Sequence, residues 1–176
     1  MISFARNIGG AAGKCKGWTP GRVAGSLMRW RWAMDYDTVD AQAFGHSLRG
    51  ISVNLLCRDV QREVAFLTGV FGLTAYRTSR DFAIMVHGGV PFQLHSDGTF
   101  AAHPLFGLLP EAGPRGAGIE LRLPGVDPDA AAARLAVFDA VLLQAPTDKA
   151  GHGLREAVIL CPEGYAWVPS LPMPAS

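Results

Sequence analysis

Apolar and polar residues alternate over Ile51-Ser-Val-Asn-Leu-Leu-Cys57, with Ile51, Val53, Leu55 and Cys57 on one side and Ser52, Asn54 and Leu56 on the other. A period of two over seven residues predicts a strand with one face against a core. The period then changes. Val60, Val64, Leu67, Val70 and Phe71 fall at helical spacing, Asp59 precedes them as an N-cap and Gly72 follows at a C′ site, which predicts a helix over 60–71. Three strand-like runs come next, over residues 73–78, 82–86 and 90–95, and Gly88-Gly89 marks a tight turn between the last two.

The same order returns further along. Residues 118–123 alternate, with Ile119, Leu121 and Leu123 on the core side and Glu120 and Arg122 opposite. Asp127-Pro128 opens a predicted helix over 128–139, with the proline at its first position. Strands are expected at 141–145, 155–160 and 165–168. A β-α-β-β-β unit therefore occurs twice, which dictates an α+β chain built from a repeated supersecondary motif. Divided accordingly, the chain has a lead-in (34–49), a first module (50–97), a linker (98–117), a second module (118–170) and a short tail (171–176). A 20-residue linker is long for a compact domain and reads as a lid or packing segment. Its Phe100, Leu105, Phe106 and Leu108 are the candidates for lid contacts.

Composition fits this picture. Hydrophobic residues make up 49% and charged residues 18% of the 176, enough for one proper core. A net charge of +1 gives no case for a nucleic-acid or membrane partner. No apolar run approaches the roughly 18–20 residues of a membrane span. Cys15, Cys57 and Cys161 are too scattered for a disulfide framework or a thiolate zinc site, and a reducing cytoplasm is the expected location. The charge is unevenly placed, however. Residues 1–33 hold six basic side chains and no acid, whereas the remainder holds 10 basic and 15 acidic ones. This glycine-punctuated segment has no periodicity and no secretory h-region. A nucleic-acid or membrane arm, a transit peptide, and an extension ahead of a true start at Met34 all suit it, and the last is the working reading. It is expected to be poorly ordered and dispensable.

The run ISVNLLCRDV and the following AFLTGVFGL resemble the opening of vicinal oxygen chelate proteins, a superfamily of glyoxalases, bleomycin-resistance proteins, extradiol dioxygenases and fosfomycin-resistance enzymes. CPEGYAW, ending at Trp167, is similar to the signature before their last strand. The resemblance spans about residues 48–170. It implies paired βαβββ modules with helices on the outside, curled mixed sheets enclosing a ligand cleft, and a homodimer. It also implies metal ligands on the first and last strands of each module, which here fall on Ser52, Gln93, Gly118 and Val168. Glycine and valine supply no ligand and serine a poor one, so no metal cofactor is expected.

Carried through, the alternation lines the cleft with Ser52, Asn54, Gln93, His95, Glu120 and Arg122, while Trp167 turns to the core. Two functional readings follow. In one, the protein binds a small organic molecule through Ser52, Asn54, Gln93 and Arg122 without the family metal. In the other it is an enzyme, a lyase, isomerase or ring-cleaving type, with His95 and Glu120 as an acid–base pair or with an atypical divalent-metal site. Against catalysis, Glu120 and Arg122 are placed to pair with each other on an open sheet face. His87, His95, His103 and His152 match no compact ligand motif. His87 and His95 lie on neighbouring strands, so an approach between their rings stays open. Lys149 and Arg155 can attract an acidic ligand, although charges beside a glycine turn are ordinarily solvated.

Overall fold

The structure, a computed structural model, describes residues 34–174. The basic segment over 1–33, with the expectations attached to it, lies outside the described residues. After a short helix α1 (Ala41–Ser47), the chain forms β1 (Asn54–Cys57), α2 (Val60–Phe71), β2 (Thr74–Tyr76), β3 (Phe82–His87) and β4 (Val90–Ser96). Beyond the linker come β5 (Glu120–Pro124), α3 (Pro128–Ala133), β6 (Val141–Lys149), β7 (Leu154–Leu160) and β8 (Ala166–Pro172). Each module builds one four-stranded mixed sheet, in the orders β1-β4-β3-β2 and β5-β8-β7-β6. The first and last strands of each module pair in parallel, and the remaining pairs are antiparallel. The doubled unit is thus a doubled topology.

Local chemistry explains the helix ends. The Asp59 carboxylate accepts from the Arg62 backbone N–H, and Gly72 takes the left-handed conformation at φ +71°. Asp127 caps α3 through the amides of Asp129 and Ala130. Helix α3 is shorter than the apolar spacing suggests. It stops at Ala133, and a 3-10 turn over Leu135–Val137 brings Phe138 down onto α2. Phe138 packs edge-on against Phe66, with ring centroids 5.8 Å apart. A Cβ at Gly69 would lie 2.5 Å from the Phe138 ring, so this approach needs bare backbone there. The regular strand β1 begins at Asn54, while Ile51 stands 90% exposed ahead of it.

A single core joins the modules. Leu55, Cys57, Ala83, Met85 and Leu94 of the first sheet and Leu123, Ile159 and Trp167 of the second share one buried cluster with Phe66, Leu67 and Val70 of α2. Trp167 packs between Phe71 and Phe92 at 6.1 and 5.7 Å. Helix α2 packs on the first sheet and α3 on the second, and each keeps an exposed face, with Gln61, Arg62 and Ala65 of α2 and Asp129 and Ala133 of α3 in solvent. Burying a large apolar side chain contributes about 1.5–3 kcal/mol, and the shared layer contains many. It follows that the opposite sheet faces, those of Asn54 and Arg122, turn away from the common core.

Candidate functional site

Strand register places the candidate residues in two groups. On the first sheet Asn54 is the lateral neighbour of Gln93 and Leu56 of His95, so Asn54, Gln93 and His95 share a face. The Gln93 amide donates to the Asn54 side-chain oxygen at 2.8 Å. His95 stands among aromatic rings, 5.0 Å from Phe82 and 4.8 Å from Phe100 of the linker. Burial there pulls its pKa below the ordinary histidine value, which favours a neutral imidazole. Phe100 also approaches His103 at 5.0 Å, so the start of the linker packs on His95, whereas Leu105, Phe106 and Leu108 stay exposed. Ser52 lies exposed before β1 begins.

The second group is ionic. Arg122 donates to Glu120 at 2.7 Å and to Glu156, whose side chain is almost fully buried. The His152 Nε2 meets the same Glu156 oxygen at 3.1 Å. Glu120 and Arg122 thus pair on the sheet face, extended inward by a carboxylate that the sequence reading passed over. The signal was available: Glu156 alternates with Arg155 and Ala157 on β7 and sits opposite Ser170 of β8, on the face that carries Arg122. Lys149 bonds Gln144, and Arg155 is taken up by Asp129 and Asp148. The Arg155 charge is thus already paired with carboxylates, whereas Lys149 meets a neutral amide.

Within one chain these groups do not meet. Asn54, Gln93 and His95 belong to one outward face and Glu120, Arg122 and Glu156 to another, with the common core between them. His87 and His95 occupy opposite ends of the β3–β4 ladder, paired with Val90 and Phe82 respectively. Among the described residues, no cluster of three or more His, Cys, Asp or Glu side chains is placed to hold a metal ion. The positions that the resemblance assigns to a metal do not fit one either. Val168 is a buried apolar residue and Gly118 precedes β5 at φ +84°, while the Gln93 amide is engaged by Asn54. A catalytic divalent ion needs about three good protein ligands, and this donor set offers an amide and a hydroxyl.

The CPEGYAW stretch ties the modules together. Glu163 accepts the backbone N–H groups of Arg58 and Asp59 at 2.9 and 3.0 Å, which are the amides at the entry to α2. Gly164, at φ +86°, packs so tightly that a Cβ would fall 2.3 Å from the Pro114 Cα. The Tyr165 hydroxyl donates to the Leu56 carbonyl at 3.0 Å, and burial pushes its pKa up to about 12.

Repeated β1-β4-β3-β2 order around a parallel first-to-last pair decides the comparison with known proteins. The chain carries the vicinal oxygen chelate fold. A glyoxalase/bleomycin resistance protein/dioxygenase family enzyme from Burkholderia phytofirmans PsJN matches over 69% of this chain and 97% of its own, at 21% identity and a TM-score of 0.55. A glyoxalase/bleomycin resistance protein/dioxygenase from Nocardioides matches over 77% and 91%, at 20% identity and TM-score 0.54. A glyoxalase-related enzyme from Fulvimarina pelagi covers 70% and 88%, at 14% identity and TM-score 0.55. No protein-family model matches the sequence, and no curated protein does. Among the described residues no helix is long and apolar enough to cross a membrane. Fold at this distance carries no reaction with it.

Proposed function

We propose that this protein binds a small organic molecule in clefts closed by a second copy of the chain, without the divalent metal of its fold relatives. The observation that carries the reading is the outward placement of two complementary half-sites. One is a neutral hydrogen-bonding face, Asn54, Gln93 and His95, beside which Ser52 stands; the other is an ionic face, Glu120, Arg122 and Glu156. Each chain has one of each. A single twofold axis that lays the first face of one copy over the second face of its partner does so twice, giving a closed dimer with two equivalent clefts. A ligand between them meets an amide pair on one side and an arginine already oriented by carboxylates on the other. His95, held neutral by burial, and Glu120 would supply an acid–base pair if the cleft is catalytic, and this is the second reading.

Sedimentation is expected to give twice the 18.7 kDa chain mass. A thermal-shift screen with small metabolites should find a stabilising ligand, since binding to the native state alone raises apparent stability. Gln93→Ala and Arg122→Ala should each weaken that ligand by about 1–3 kcal/mol, the cost of leaving a buried polar partner unpaired. Elemental analysis should find no stoichiometric divalent metal after purification without added metal. A monomer whose ligand ignores both substitutions would refute the cleft, and stoichiometric zinc, iron or manganese would refute the metal-free reading.

A further inference from the structure

A cavity of about 290 Å3 opens between the modules, mostly on the side of the shared core, with Arg122 of the ionic face at its border. Val53 and Phe92 of the first module and Leu121, Leu123 and Trp167 of the second line it, and Ile51 and Val90 also border it. Ile51 and Val90 are 90% and 61% exposed, so two large apolar side chains stand in water beside an apolar recess. Phe92 and Trp167 lie side by side, 5.7 Å apart and tilted by 44°, and so present two aromatic surfaces. An apolar cavity of roughly half this size suffices for a benzene ring.

Two polar residues border the cavity, and each is already hydrogen-bonded. Arg122 is committed to Glu120 and Glu156. An anionic guest would therefore give up its hydration without gaining a free cation, which is strongly unfavourable. His87 bonds the Pro124 carbonyl through Nε2 at 3.0 Å. A carbonyl only accepts, so Nε2 carries the hydrogen, and in the neutral ring Nδ1 is left as an acceptor. The recess thus combines aromatic walls, an arginine already paired with carboxylates and, on the neutral His87 ring, a nitrogen left as acceptor.

We infer that this inter-module cavity is a second binding site, for a neutral aromatic ring bearing a single hydrogen-bond donor, of the indole or phenol type. The site is complete within one chain. It borders the ionic face at Arg122 but does not depend on Gln93 or on a metal.

Calorimetric titration of the full chain with indole and 1-methylindole tests it. Indole should bind once per chain, and 1-methylindole, which lacks the donor, should bind about fivefold more weakly, the worth of one ordinary hydrogen bond. The methyl comparison needs no mutation. His87→Phe should erase that difference. Val90→Trp, at an exposed position beside the opening, should weaken indole by at least about tenfold because the bulkier side chain fills the recess and blocks entry. Gln93→Ala should leave indole affinity within about twofold. Absence of binding at millimolar indole would overturn the site, as would unchanged affinity in Val90→Trp. A loss in Gln93→Ala as large as in Val90→Trp would also overturn it, by moving the ligand to the outward face. Equal affinity for the two indoles would overturn the assigned chemistry.

Discussion

Glu163→Ala is expected to lower stability by about 3–5 kcal/mol, the usual cost of removing one partner from a buried charged network. At roughly 2–4 °C per kcal/mol for a chain of this size, the melting temperature should fall by about 10 °C. The expectation follows from what Glu163 touches. Only 3% of its side chain is exposed; one oxygen takes the amides of Arg58 and Asp59, and the other takes the Arg58 guanidinium at 3.3 Å. Arg115, itself 4% exposed, lies 3.9 Å away and holds Asp97 with both terminal nitrogens. Removing the carboxylate leaves two helix-entry amides without their acceptor and two arginines short of a counter-charge. Because Glu163 belongs to the second module and α2 to the first, the loss falls on their junction. Glu163→Gln keeps one acceptor oxygen and should cost about 1–2 kcal/mol. Denaturant unfolding of both variants checks the ordering. A glutamine variant as damaged as the alanine one would show that charge, and not amide capping, carries the stabilisation.

The same residue shows how far the sequence could be read. Glu163 stood inside a recognisable signature, but its bond partners lie more than a hundred positions away, and no spacing argument reaches them. What was legible was local. Caps at Asp59 and Asp127, the Gly72 stop, and the parity of β1, β4 and β5 all follow from periods of two and 3.6, and they put Asn54 beside Gln93 and Glu120 beside Arg122. What was not legible was which sheet face meets which. Alternation identifies two faces without saying which one is shared. Here both are partly apolar: Leu56, Ile84 and Val168 are buried on the outward faces just as Leu55, Met85 and Trp167 are buried on the inner ones. Alternation therefore does not decide whether a ligand cleft forms within one chain or across a dimer. Glu63 illustrates the same limit. An acid in the first turn of a helix ordinarily faces solvent and complements the dipole, and only tertiary packing reveals that this one is buried.

Glu63→Gln is expected to stabilise the protein above neutral pH and to do little near pH 5. Glu63 is completely buried in α2, and neither carboxylate oxygen has a hydrogen-bond partner among the described residues. Burial raises its pKa from 4.5 to about 7; weak contacts from the Cys161 thiol, the Glu163 backbone N–H and the Trp167 indole, none of them a full hydrogen bond, oppose the rise, while the Glu163 charge adds to it. The folded protein therefore keeps a proton that the unfolded chain releases above about pH 4.5. Over that interval the unfolded state binds fewer protons, so stability must fall as pH rises. The contribution is intact below pH 4.5, declines through the interval and is lost above about pH 7. Multiplying the shift by 1.36 kcal/mol per unit puts the loss at roughly 3 kcal/mol. Glutamine is nearly isosteric and cannot ionise. Its unfolding free energy should show a correspondingly flatter profile between pH 5 and 8, crossing the wild-type curve within that range and exceeding it by up to about 3 kcal/mol at pH 8. Parallel profiles for the two proteins would mean that the Glu63 carboxyl ionises in the folded state as readily as in water, and that the core around Cys57, Cys161 and Trp167 is open to solvent.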